Sequence, residues 1–102
     1  MLELRPSCEH CNIELPPNSL VARICSFECT FCETCADQVL HNVCPNCGGG
    51  FERRPIRPNT DWQGGNFLGT PPASSQAKHR PVDISAHENF SAALRLIPPA
   101  QR

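Results

Sequence analysis

The chain has 102 residues, 39% of them hydrophobic, with eight cysteines, eleven prolines and no tyrosine, which allows one small domain plus a tail and excludes a conventional enzyme core. The formal net charge of -1 hides two Arg against six acids in residues 1–47 and seven Lys or Arg against four acids in residues 48–102. Neither half has the dense basic face of a nucleic-acid binder or the apolar run of a membrane span, so neither partner is expected.

The start, Met1 to Cys8, lacks a cationic leader followed by an apolar stretch, so the expected location is cytoplasmic. Disulfides do not persist in a reducing compartment, and cysteines there read as thiolate ligands. Leu20 to Ile24 is short and partly β-branched and is predicted to be a strand. Thr34 and Asp37 have the spacing of a helix start, predicting a short helix over Cys35 to His41 with Val39 and Leu40 inward. Leaving out cysteine, alanine and Met1, the remaining apolar residues of this part are Leu2, Leu4, Ile13, Leu15, Leu20, Val21, Ile24, Phe27, Phe31 and Val43. Burial of so few side chains is too little to order fifty residues, so something else must hold the fold.

Gly48-Gly49-Gly50 closes the predicted cysteine-bearing module, residues 1–50. Phe51 to Pro58 reads as extended and proline-restricted, and residues 51–82 as a Pro/Gly-rich flexible linker. Residues 83–97 can form a short amphipathic helix, with Ser85 and Glu88 at capping-box spacing and Phe90, Ala93, Leu94 and Ile97 on one face. Pro98-Pro99 stops it, leaving a tail, 98–102. A lone helix of this length is marginal in water, so it docks, binds a partner or flickers, and the C-terminal half is expected to be largely disordered.

The cysteines form four close pairs, Cys8-x2-Cys11, Cys25-x3-Cys29, Cys32-x2-Cys35 and Cys44-x2-Cys47. A tight turn at this spacing brings two sulfurs onto one metal while its amides hydrogen-bond the thiolates. Eight thiolates complete two tetrahedral zinc sites, and Asn12 and Gly48 suit the position after a knuckle. A disulfide scaffold, an iron–sulfur cluster and catalytic thiols fit the pattern less well. Spacing alone leaves the pairing open: sequential, interleaved, or a one-metal treble clef or ribbon that leaves Cys25 and Cys29 as free thiols.

The order of spacings, together with Thr30 to Ala36 and the later Cys44-Pro45-Asn46-Cys47, resembles the RING finger family. That resemblance implies interleaving: Cys8, Cys11, Cys32 and Cys35 on one zinc, and Cys25, Cys29, Cys44 and Cys47 on the other. The start Met1-Leu-Glu-Leu-Arg-Pro6 and the grid through Pro45-Asn-Cys-Gly-Gly49 are also similar to a family of short bacterial cysteine-rich proteins of unassigned function, over roughly residues 1–58. The fold class expected is therefore a small metal-stabilised α+β zinc module, either a RING-like cross-brace or a treble clef.

The function expected is a zinc-stabilised adaptor for a protein partner, without catalysis of its own. A redox- or zinc-responsive switch is an alternative, because thiolate sites lose metal on oxidation. A ubiquitin-ligase-like role is disfavoured: RING ligases use an apolar residue between the first two ligands and a cation after the last, where this chain has Glu9-His10 and Gly48. Nucleic-acid binding is disfavoured too, with Arg53, Arg54 and Arg57 read as a solvated stretch. His10 and His41 are expected at the surface, and His79 and His87 in solvent.

Overall fold

A computed structural model describes residues 1–69 and 72–102. Thr70 and Pro71, within the linker expected over 51–82, lie outside the described residues. Three short strands make one antiparallel sheet in the order β2-β1-β3: β1 is Ala22–Ile24, β2 Thr30–Cys32 and β3 Glu52–Arg53.

The second cysteine pair is the turn of a hairpin. β1 and β2 pair with Ala22 opposite Cys32 and Ile24 opposite Thr30, so Cys25 to Cys29 is the whole connection. It is closed by Cys25 N–H to the Cys29 carbonyl at 3.2 Å and Glu28 N–H to the Cys25 carbonyl at 3.0 Å. The third intervening residue gives the loop room for Glu28 to turn the chain with φ at 68°, a conformation that costs a non-glycine residue and is tolerated in tight turns. Phe27, counted among the apolar residues, sits at this tip and is exposed.

After β2 the chain winds into a π-helical turn over Cys35–Val39, closed by Leu40 N–H to the Cys35 carbonyl at 2.8 Å. His41 and Asn42 follow with φ of 51° and 60°, which ends the helix where the sequence predicted its end. Thr34 makes no side-chain cap hydrogen bond. Leu40 is buried and Val39 half-buried. The Asn42 side chain accepts the Phe51 N–H at 2.9 Å, which aims the following segment at the sheet. β3 then pairs with β1, Ile24 opposite Glu52.

Leu4, Leu15, Phe31, Leu40, Val43 and Phe51 are buried together with six of the cysteines. Phe31 and Phe51 meet edge to face, ring centroids 5.4 Å apart, a favoured aromatic geometry. Ile13, Leu20 and Val21 are left exposed. The apolar core is as small as the composition implies.

The described residues of the C-terminal half do not support the disorder expected there. Helix α1, Ile84–Leu94, is capped by Asp83, whose side chain accepts the Ala86 N–H at 3.1 Å, rather than by the expected Ser85 and Glu88 pair. Its buried residues are His87 and Ser91, at 4% and 0% exposure, whereas Phe90 is 47% exposed; the buried stripe lies one residue round from the predicted one. The reason is the partner surface, which offers the Val43 carbonyl to His87 Nε2 at 2.8 Å. His87 is thus buried, not solvent-exposed. Upstream, Arg80 N–H donates to the Glu9 carbonyl at 2.7 Å, Ser74 N–H to the Leu4 carbonyl at 3.1 Å, and Val82 N–H to His10 Nδ1 at 2.8 Å. A final 3-10 turn, Pro99–Gln101, lets Arg102 donate to the Asn42 and Gly48 carbonyls at 2.7 and 3.1 Å. Each of these bonds has a backbone group on at least one side, which the tail's polar composition conceals.

Candidate metal centres

Two of the four cysteine pairs are built on the same turn. In the first, Cys8 N–H donates to the Ile13 carbonyl at 2.9 Å and Asn12 N–H to the Cys8 carbonyl at 3.0 Å. In the last, Cys44 N–H donates to the Gly49 carbonyl and Gly48 N–H to the Cys44 carbonyl, both at 2.8 Å. The residue after the second cysteine has positive φ in each, 64° at Asn12 and 79° at Gly48. That is why glycine or asparagine stands there.

The sheet decides which knuckle meets which pair. Glu9, inside the first turn, is stitched to β2 by its N–H to the Thr30 carbonyl at 2.9 Å and by its carboxylate, which accepts the Thr30 N–H at 2.5 Å. The Arg5 guanidinium holds the same carboxylate at 2.8 Å. The first knuckle therefore lies beside β2, the strand that ends at Cys32. The last knuckle leads into β3, whose Glu52 pairs with Ile24, next to Cys25.

The thiols consequently gather in interleaved groups. The sulfurs of Cys8, Cys11, Cys32 and Cys35 all lie within 4.8 Å of one another, as do those of Cys25, Cys44 and Cys47. Cys29 stands outside that spacing but beside the second group, in side-chain contact with Cys25 and Cys44 and receiving the Asn46 side-chain N–H at 3.3 Å.

One edge of the first group has the length expected of a tetrahedral site. Thiolates at about 2.3 Å from a zinc ion are about 3.8 Å apart along each tetrahedral edge, and the Cys11 and Cys32 sulfurs are 3.8 Å apart. Amide donors point at sulfur as a thiolate site requires: Phe27 N–H to Cys25 at 3.3 Å, Asn46 N–H to Cys44 at 3.5 Å and Gly49 N–H to Cys47 at 3.4 Å.

The electrostatics are those of crowded, buried thiols. Burial pushes the Cys35 thiol well above its usual range, and the neighbouring Cys32 and Cys8 push it further. Burial raises Cys44 in the same way, only partly opposed by amide donors from Asn46 and Cys47. Burial raises Cys32 and Cys29 as well. Cys8 moves down, its burial outweighed by amide donors from Cys11, Cys32 and His10. Packed together, these sulfurs cannot all ionise against each other, and a divalent ion at the centre reverses that penalty.

Three residues that hold these centres escaped the sequence reading. Arg54 is 1% exposed and donates to the carbonyls of Arg5, Leu15 and Pro16 at 2.8, 3.2 and 2.9 Å; it is a strut under the first knuckle, not part of a solvated stretch. Burial lowers its affinity for its proton without threatening the charge of a guanidinium. Glu9 is the second, its acid placed between Cys8 and Cys11 being the one visible signal. His87 is the third, and nothing in the sequence marks it. His10 is half-buried and His41, 3.8 Å from Glu88, partly exposed. His79 is exposed and reaches the His10 carbonyl at 3.1 Å.

A three-stranded sheet and a π-helical turn carrying two cysteine groups able to hold metal define a small cysteine-rich α+β protein. The chain belongs to the family DUF1272, described as a protein of unknown function, which matches residues 1–57. Over 58 residues it is 60% identical to an uncharacterised protein of Rhizobium meliloti (strain 1021), a stretch covering 57% of this chain and 69% of that relative. No solved structure matches it. No helix among the described residues is long and apolar enough to cross a membrane.

Proposed function

We propose that the chain is a two-zinc structural module of RING-like cross-brace type that works in the cytoplasm as an adaptor for a protein partner, without catalysis of its own. The observation that carries the reading is the interleaved gathering of the thiols, with Cys11 and Cys32 at 3.8 Å. Cys8, Cys11, Cys32 and Cys35 hold one zinc. Cys25, Cys44 and Cys47 hold the other, with Cys29 closing the shell from its place beside them.

A shell of four thiolates has no open coordination position, which is the arrangement of structural rather than catalytic zinc. The metals supply the cross-links that the small core lacks. What such a scaffold offers is surface, and large apolar side chains such as Leu20, Phe27 and Trp62 stand in solvent. The ligase-like reading gains nothing from Glu9, whose carboxylate is spent on Arg5 and Thr30.

Affinity capture from the native cell at low salt, using the zinc-loaded chain and a Cys44→Ser variant, tests the adaptor reading. A reproducible partner retained by the first and lost by the second supports it. The absence of any reproducible partner refutes it.

A further inference from the structure

The last knuckle is gripped at both ends by the arm, the segment from Ser74 to Arg102. The carbonyl of Val43, just before Cys44, accepts the His87 Nε2–H at 2.8 Å. The carbonyl of Gly48, just after Cys47, accepts from Arg102 Nη1 at 3.1 Å, and the same nitrogen reaches the Asn42 carbonyl at 2.7 Å. A carbonyl only accepts, so His87 is fixed in the tautomer that carries its proton on Nε2. Apolar contact accompanies these bonds. Phe90 and Leu94 lie so close over Gly48 that a methyl there would stand 3.4 and 3.3 Å from them, and one on Gly50 would stand 2.9 Å from Pro99 Cγ.

Both bonds act on peptide planes that serve the thiols. The peptide whose carbonyl His87 holds carries the Cys44 N–H, which closes the knuckle onto the Gly49 carbonyl at 2.8 Å. The peptide whose carbonyl Arg102 holds carries the Gly49 N–H, which points at the Cys47 sulfur at 3.4 Å. A peptide is planar, so fixing its carbonyl also aims its N–H.

The first knuckle is held differently. Its strut, Arg54, lies inside the family stretch of residues 1–57, whereas His87 and Arg102 lie outside it. The arm crosses the first knuckle with main-chain donors, Arg80 N–H to the Glu9 carbonyl and Val82 N–H to His10 Nδ1.

We propose that His87 and Arg102 are positioning residues of the second metal centre, and that docking of the arm is coupled to metal binding there. The inference rests on the two-zinc reading and divides its centres: the first is held by the family stretch, and the second shares its holding with the arm. By linkage, the factor by which the docked arm tightens the metal is the factor by which the metal tightens the arm. Docking of α1 therefore reports whether the second centre is filled.

The test uses the full cadmium-loaded chain, with the second centre assigned as the resonance that Cys47→Ser disturbs and a chelator competed against each centre. His87→Ala and Arg102→Ala should each weaken cadmium at the second centre about tenfold or more, the usual scale for removing an outer-shell partner, and leave the first unchanged. Arg95→Ala, whose guanidinium bonds Ser91 and Glu88 of its own helix, should alter neither. In the reverse direction, Cys47→Ser should speed amide hydrogen exchange in α1 about tenfold or more. Arg102 is partly exposed, so its variant keeps the test apart from folding, and the first resonance reports the fold of the module throughout. Equal weakening of both centres, or α1 exchange that Cys47→Ser leaves unchanged, overturns the proposal. An unaltered chain that takes up no second cadmium overturns the two-zinc reading itself, whereas two ions held alike in every arm variant overturn this inference alone.

Discussion

The sulfurs of Cys11 and Cys32 lie 3.8 Å apart across 21 residues of sequence, on two segments joined by the Glu9 and Thr30 backbone bond. A metal ion held by the first group would clamp the N-terminal knuckle to the strand that leads out of the second group, and would make the two sites interdependent.

The pairing predicts which metal each substitution releases. In a cadmium-loaded chain, Cys11→Ser and Cys32→Ser should disturb the same cadmium resonance, and Cys25→Ser and Cys47→Ser the other. Sequential pairing would instead couple Cys11 with Cys25.

Acid should empty both sites. Metal binding has to displace protons from thiols that burial and neighbouring sulfurs hold protonated, as at Cys35 and Cys44, so apparent affinity rises with pH and falls on acidification. A zinc-indicator titration at several pH values measures this. Chelation at neutral pH should abolish the dispersed amide spectrum of residues 1–57, since the binding energy is also folding energy.

Arg54→Ala should destabilise the metal-loaded module by about 3 kcal/mol or more, because it leaves the Arg5, Leu15 and Pro16 carbonyls without their shared donor. Arg54→Lys should recover only part, since an ammonium does not reproduce the planar fork. Denaturant unfolding in excess zinc gives both numbers.

The two equivalent turns should respond differently. Gly48→Ala places an L side chain at φ 79°, with its methyl 3.3 Å from Leu94 Cδ1, and should cost about 1 to 2 kcal/mol. Asn12→Gly relieves the same conformation at φ 64° and should be neutral within a few tenths of a kcal/mol. Thermal unfolding of the zinc-loaded proteins separates them.

The pair spacings and the small core were legible because ligand geometry acts over two or three residues. The hairpin was half legible: β1 was predicted from its apolar run, but Thr30 to Cys32 is hidden among the cysteines and too short for a periodic signal. The interleaved pairing came through resemblance alone. In the structure it follows from the stitching of Glu9 to Thr30 and the register of Ile24 against Glu52, long-range facts that no local pattern encodes. The arm was misread for a related reason: its docking uses backbone N–H groups, a buried histidine and carbonyl acceptors, and composition reports none of them. Arg54 shows the same limit, since a basic run looks solvated until three carbonyls are found converging on one of its members.

Native mass spectrometry of the chain purified from its own cells, with metal analysis of the same sample, tests the central claim most directly. The account predicts two zinc ions per chain with all eight cysteines reduced. A single ion, no metal, or masses that report disulfides would contradict it.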